Sequence, residues 1–155
     1  MATTKTPAKR AAKAKPTAAA GSVPAIGQHL PELGGTYIGI SSDLKGGATG
    51  HLVLLDARPT TRMTWKAAIA WAESLGDGAR LPTRAEAMLI FTNTTNRPTS
   101  GWHWTSEEED ASYAWGCYFS TGDQNDNHKG NDLSAVAVRR LSLQSFNSLT
   151  SVEAA

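Results

Sequence analysis

Hydrophobic and polar positions divide the chain into short elements of differing period. Thr36–Ile40 is a compact β-type run and His51–Ala57 (HLVLLDA) a second, with the Gly-rich Ser41–Gly50 between them as a turn. That spacing predicts a β-hairpin. The period then changes: Ala68, Trp71, Ala72 and Leu75 recur at three- and four-residue intervals. They place one apolar face on a helix from Trp65 to about Leu75, with Thr64 as its N-cap and Gly76 and Gly78 as its stop. Arg80-Leu81-Pro82-Thr83 leads into a second helix, because Thr83 with Glu86 three residues on is a capping box and Ala87, Leu89, Ile90 and Phe91 supply a buried stripe. Asn, Pro and Gly within Asn93–Gly101 break it. Three short strands are expected after that, at Trp102–Thr105, Tyr113–Phe119 and Ala135–Leu141, separated by polar loops at Ser106–Ser112 and Ser120–Ser134. A hairpin, two helices and three strands in that order make an α+β pattern.

Charge adds a division that the periodicity does not show. The 155 residues carry 15 Lys+Arg against 14 Asp+Glu, a formal net charge of +1. Lys5, Lys9, Arg10, Lys13 and Lys15 give residues 1–20 a charge of +5 with no acid, so the rest of the chain is mildly acidic. Residues 1–22, nearly all Ala, Lys, Thr, Pro and Gly, read as a disordered basic arm. Residues 23–34 read as an extended lead-in, 35–141 as one folded domain, and 142–155 as a C-terminal tail. The arm lacks the continuous apolar core of a secretory signal, and no stretch approaches the length of a membrane span. The expectation is synthesis in the cytoplasm without a signal peptide and no membrane insertion. A single cysteine, Cys117, excludes an intramolecular disulfide and a metal site built on several thiolates.

Five motifs occur in order: Met63-Thr64-Trp65 with Ala68; Arg80-Leu81-Pro82-Thr83 with Glu86; Trp102-His103-Trp104-Thr105-Ser106; Tyr113-Ala114-Trp115; and Val138-Arg139-Arg140-Leu141. Over roughly Gly35 to Leu141 the chain resembles the Lcl C-terminal domain family, a domain of unknown function found in bacterial surface proteins and in phage and prophage proteins. Gly35-Thr36-Tyr37-Ile38-Gly39, His51-Leu52-Val53-Leu54-Leu55, and Gly122-Asp123-Gln124-Asn125 with Lys129 resemble its phage and prophage branch. The resemblance implies a C-type-lectin-like fold: two helices packed on small twisted antiparallel sheets, with the segment after Phe119 on the ligand-binding face.

The residues themselves restrict the chemistry. Pro82 before a capping Thr83 is a helix start, and Arg80 suits an internal ion pair. Trp65, Trp71, Trp104 and Trp115 are expected in the core, whereas Trp102 and His103 beside a Pro/Gly-rich loop are less settled. Tyr113 and Tyr118 are candidates to flank a display face and stack on a sugar ring. Asp123-Gln124-Asn125-Asp126-Asn127 begins like a calcium loop, but His128 stands where the EF-hand needs Gly and Ser134 where it needs Glu. Calcium held in another way, with help from Glu107-Glu108-Glu109-Asp110, has no motif behind it, so no cofactor is assigned. Cys117 between Trp115 and Phe119 reads as a buried structural thiol, and His29, His51, His103 and His128 are not spaced as a metal pair on a helix. No nucleophile elbow or phosphate-cradling loop is found, and the reading is of a protein that is not an enzyme.

The resulting expectation is a ligand-display or binding module of phage or prophage origin, associated with a virion or tail. It would present loops 106–112 and 120–134 to a host-surface glycan or protein. Tyr118, Asn125, Asn127, His128, Lys129 and Asn131 are its candidate ligand-binding residues, and diversification of the Asn- and Asp-rich loop is a related expectation. The rival is a structural assembly or decoration protein whose basic arm contacts neighbouring virion or tail subunits or nucleic acid. Either reading fits a homo-oligomer.

Overall fold

A computed structural model describes residues 22–43 and 49–146. Residues 1–21 of the expected arm 1–22, residues 44–48 of the expected turn 41–50 and residues 147–155 of the expected tail 142–155 lie outside the described residues. The described chain is α+β: two helices and two antiparallel sheets. The first sheet holds β1 (His29–Leu30), β2 (Gly35–Ser42), β3 (Thr49–Leu55) and β7 (Val138–Ser142) in the order β1-β2-β3-β7. The expected hairpin is β2–β3, longer than the sequence indicated, with Thr36 against Leu54 and Ser42 against Thr49. A bulge falls between Tyr37 and Gly39.

β3 shows why its apolar run is continuous rather than alternating. Val53 and Leu55 face one core cluster, with Ala68, Ala72, Leu81 and Trp104, and Leu52 and Leu54 face another, with Ala87, Ile90, Cys117 and Phe119. A strand covered on both faces has no polar side to display. The helix α1 (Trp65–Ser74) supplies Ala68 and Ala72 to the first cluster, and α2 (Arg84–Asn93) supplies Ala87 and Ile90 to the second. Both caps form as the sequence predicts. Thr64 accepts from the Ala67 amide, and Thr83 and Glu86 complete a reciprocal capping box. Gly76, at φ +79°, takes the left-handed conformation just beyond α1.

The second sheet holds β4 (Trp102–Glu108), β5 (Tyr113–Tyr118) and β6 (Asp123–His128) in sequence order. Two expected loops are corrected here. Ser106–Glu108 belongs to β4, and the following turn is closed by Asp110, whose Oδ1 accepts from the Ser112 and Tyr113 amides at 2.8 Å each. Within the expected loop 120–134, residues Asp123–His128 form β6 and pair with β5 from Tyr118–Asp123 to Tyr113–His128. Asn and Asp are poor strand formers, but an edge strand needs no apolar face, and β5 supplies its backbone partners. The turn into β6 depends on Gly122. Its φ is +80°, and a Cβ there would come within 2.9 Å of the Phe91 ring.

The last expected strand is also shorter than its apolar run. Ala135, Val136 and Ala137 are fully buried but precede β7, which begins at Val138. Backbone bonds in this region go to several elements rather than to one ladder: Ser134 bonds with Trp102 and Trp104, Ala137 with Leu55, and Val138 with Arg80. The end of the described chain also packs. Phe146 is buried against Leu30 and Tyr37, and its ring meets His51 edge-on at 4.9 Å.

Candidate functional site

The pleat of the second sheet assigns its side chains to two faces. Trp102 opposes Tyr118, Trp104 opposes Gly116, and Asp123, Asn125 and Asn127 lie opposite Tyr118, Gly116 and Ala114. These residues share one face. His103, Cys117 and Gln124 share the other with Trp115, Asp126, Tyr113 and His128. That second face is turned toward α2, where Cys117 and Phe119 pack with Ala87 and Ile90. The Arg84 guanidinium lies 3.6 Å from the Trp115 ring centroid, and its Nε donates to Gln124 Oε1 at 2.9 Å.

The first face is closed at one end and open at the other. Trp104 is fully buried, covered by Met63, Leu133 and Ala135, and its indole Nε1 donates to the Met63 carbonyl at 2.9 Å. Beyond it Trp102 and Tyr118 are half-buried, with ring centroids 5.6 Å apart and planes inclined at 56°. A cleft of about 370 Å³ adjoins this pair, lined by Arg62, Gly101, Trp102, Asn127, Asn131, Asp132 and Leu133. Asn127 reaches over Gly116, where a Cβ would approach its amide nitrogen to 3.0 Å, and donates to the Asn125 carbonyl at 3.2 Å. Asn125 and Asn131 are exposed, and among the described residues neither amide side chain is engaged by another group.

Four of the six sequence candidates, Tyr118, Asn125, Asn127 and Asn131, therefore gather around this open face. The other two sit elsewhere. His128 belongs to the opposite face, its ring 5.6 Å from Tyr113 and its Nδ1 accepting from the Gly130 amide. Lys129 Nζ donates to Glu108 at 2.7 Å and to the Ala111 carbonyl at 3.1 Å, and lies 4.8 Å from the Trp65 ring centroid. It pins the end of the second sheet to the start of α1. Tyr113 and Tyr118, expected to flank one display surface, are on opposite faces.

Five residues of the cleft lining were not among the sequence candidates: Arg62, Gly101, Trp102, Asp132 and Leu133. The pairing of Trp102 with Tyr118 depends on an irregularity in β4 between Trp104 and Glu108; carried straight on from the Glu108–Ala114 pair, the register would set Trp104 against Tyr118. Trp65, Trp71 and Trp115 are half-buried rather than enclosed in the core, because cationic side chains cover Trp65 and Trp115 where apolar ones would otherwise have to.

A larger cleft of about 490 Å³ is lined by Ser42, Asp43, Arg80, Thr83, Ser106, Glu107 and Arg140. Its two guanidinium groups are already committed to the buried Glu86 carboxylate. The smaller cleft is the better ligand candidate because its wall holds the Trp102 indole, which packs on Tyr118, and its lining holds the Asn131 amide, which has no internal partner among the described residues.

No family model matches the sequence, and no curated protein does. Among solved structures the chain is similar to botrocetin. The two share 12% identity at a TM-score of 0.44, over 66% of this chain and 97% of that one.

Two groups of the second sheet, the Cys117 thiol and the His103 ring, are held neutral by burial. Burial pushes the Cys117 thiol up to about 11; the Asp123 charge adds to this and a bond with Gln124 opposes it. Burial likewise lowers the buried His103 to about 4, with the charges of Arg58 and Arg62 adding to it and the Nδ1 bond to the Gly101 carbonyl opposing it. His103 is therefore neutral at pH 7, donating through Nδ1. Among the described residues, no group of three or more His, Cys, Asp and Glu side chains is placed to hold a metal ion. Three acids of the run at 107–110 are instead bound internally: Glu107 accepts from the Arg84 amide, Glu108 pairs with Lys129, and Asp110 closes its turn.

A direct measurement checks the state of the thiol. Iodoacetamide at pH 8 should leave Cys117 unmodified in the folded protein and alkylate it fully in denaturant, as read by intact mass, because a buried neutral thiol is a poor nucleophile. Rapid modification of the folded protein would contradict the burial described here.

Proposed function

We propose that the chain is a non-enzymatic ligand-binding module with a C-type-lectin-like fold, of phage or prophage origin and carried on a virion or tail. In this reading it binds a host-surface ligand through the open face of the second sheet. The observation that carries the reading is the Trp102–Tyr118 pair beside a cleft lined by Asn127 and Asn131, with Asn125 exposed on the same sheet face. Rigid aromatics supply contact area at low entropic cost, and amides supply adaptable hydrogen bonds. The two helices and two antiparallel sheets agree with the fold class, and the ordered sequence motifs support the phage or prophage assignment. No catalytic role is assigned to Cys117 or His103, whose environments keep them neutral.

The test is adhesion of the full chain to intact bacterial cells of several species, with and without calcium. The triple variant Tyr118→Ser, Asn125→Ala, Asn131→Ala should lose saturable binding while its Tm shifts by only about 2 to 4 °C, the scale of a surface change worth about 0.5 kcal/mol. Retention of full binding by a folded triple variant would overturn the reading. The charge of +5 in residues 1–20 favours a second role, attachment of the module to neighbouring virion subunits or to nucleic acid. Deleting residues 1–22 should then abolish incorporation into particles and leave adhesion intact.

A further inference from the structure

We infer that the ligand of this face is an uncharged pyranose, stacked on Trp102 and Tyr118, hydrogen-bonded by Asn125, Asn127 and Asn131, and bound without a metal ion. The inference rests on the binding reading above and names the chemical class of its ligand. Three observations carry it. The first is shape. Trp102 and Tyr118 are inclined at 56° with centroids 5.6 Å apart, forming an angled apolar wall, and the adjoining cleft of about 370 Å³ is the size of a small-ligand site. A pyranose presents a patch of axial C–H bonds to such a wall and hydroxyls around its edge. The free amides of Asn125 and Asn131 match those hydroxyls because each both donates and accepts, and Asn127, which gives one N–H to the Asn125 carbonyl, keeps its amide oxygen and second N–H for them.

The second observation is charge. Arg62 and Asp132 stand together in the cleft lining, and Asp123 lies on the same sheet face opposite Tyr118. One cation against two anions gives an acidic sugar no net attraction. A neutral sugar meets no like charge.

The third is the fate of the carboxylates. Glu107, Glu108 and Asp110 are engaged by Arg84, Lys129 and the turn amides. Asp123 Oδ2 accepts from the Thr121 hydroxyl at 2.8 Å. Asp132 remains in the cleft lining, but among the described residues no group of three or more His, Cys, Asp and Glu side chains is placed to hold a metal ion, so recognition by this face uses rings and amides.

The experiment is saturation-transfer NMR on the full chain with the methyl pyranosides of glucose, galactose and mannose, and with N-acetylneuraminic acid, each with and without excess EDTA. At least one neutral pyranoside should receive saturation at its ring C–H protons, EDTA should change nothing, and N-acetylneuraminic acid should bind more weakly. Tyr118→Ala should weaken binding at least about tenfold, or about 1.4 kcal/mol. Tyr118→Phe, which keeps the ring, should stay within about threefold, or about 0.7 kcal/mol. A near-ultraviolet circular dichroism spectrum like that of the parent shows that each variant is folded.

Preference for the acidic sugar, loss of binding in EDTA, equal binding by a folded Tyr118→Ala, or failure of every neutral pyranoside would each overturn the inference. The last outcome is separable from failure of the wider reading. If no pyranoside binds but the triple variant still loses cell adhesion, the face binds a ligand of another class; if the triple variant adheres normally, the face is not the binding site.

Discussion

Glu86→Gln is expected to destabilise the fold by about 3 kcal/mol, the scale of breaking a buried ion pair from one side. Glu86 is 1% exposed, and its carboxylate is the hub of a polar network. It accepts from Arg80 Nη1 at 2.6 Å and Nη2 at 2.9 Å, from the Ser41 hydroxyl at 2.6 Å, from Arg140 Nη2 at 3.2 Å and from the Thr83 amide at 2.9 Å. Burial alone would raise its pKa, but the bonds from Arg80, Ser41 and Thr83 and the charge of Arg80 outweigh it and hold the carboxyl at about 2, against an ordinary 4.5. The amide of Gln keeps one acceptor oxygen but leaves two guanidinium groups facing each other with no anion between them.

The same network fixes the acid response. A carboxyl whose folded pKa lies below its unfolded value stabilises the fold fully above about 4.5 and loses that contribution as the pH falls toward about 2. At about 1.4 kcal/mol per pKa unit, the contribution is again about 3 kcal/mol. Urea midpoints measured between pH 7 and pH 2.5 should fall steeply for the parent below pH 4.5 and more gently for Glu86→Gln. Parallel curves would show that Glu86 is not the group responsible.

Trp104→Ala should cost about 3 to 5 kcal/mol, as truncation of a buried aromatic does. Its indole is fully buried among Leu81, Ala114, Leu133 and Ala135, and its Nε1 satisfies the Met63 carbonyl. Against the 5 to 15 kcal/mol typical of a whole domain, about 4 kcal/mol brings the protein near unfolding at 37 °C. Trp104→Phe restores much of the volume but not the donor, and should recover roughly half of the loss. Guanidinium titrations should show the midpoint falling with the slope unchanged; a midpoint within error of the parent would mean that the cluster around Trp104 repacks without cost.

How far the sequence reveals these features depends on how far apart their partners lie along the chain. The Thr83–Glu86 cap and the Arg80–Glu86 pair lie within one short segment, and local chemistry was enough to anticipate a capping box and an internal role for Arg80. Ser41 and Arg140 reach the same carboxylate from positions 45 and 54 residues away, and no local rule points to them. β6 was illegible for a different reason. Its side chains DQNDNH lie at a sheet edge with no apolar stripe to mark a face, so composition alone reads as loop. One signal was present: Gly122 closes a short turn after the strand that ends at Tyr118, a spacing that fits a hairpin. Once β6 is a strand, its alternation separates Asn125 and Asn127 from His128, which a loop would not require. Lys129 was chosen for its charge and its polar neighbours, but the acid it serves, Glu108, sits across the hairpin.

The two sheets differ in the order in which they can assemble. β4, β5 and β6 are joined by tight turns, so the sheet that carries the aromatic pair is built from neighbouring segments and can form early. The other sheet needs β7 beside β3, with Arg139 against Val53, and that pairing must close most of the chain into a loop. During synthesis, β3 stays without one partner until the last strand has left the ribosome, exposing Leu52 and Leu54 to aggregation in the meantime. Slow-translating codons just ahead of β7 would prolong that interval, whereas changes to the outermost residues of β6 would leave that long-range closure untouched.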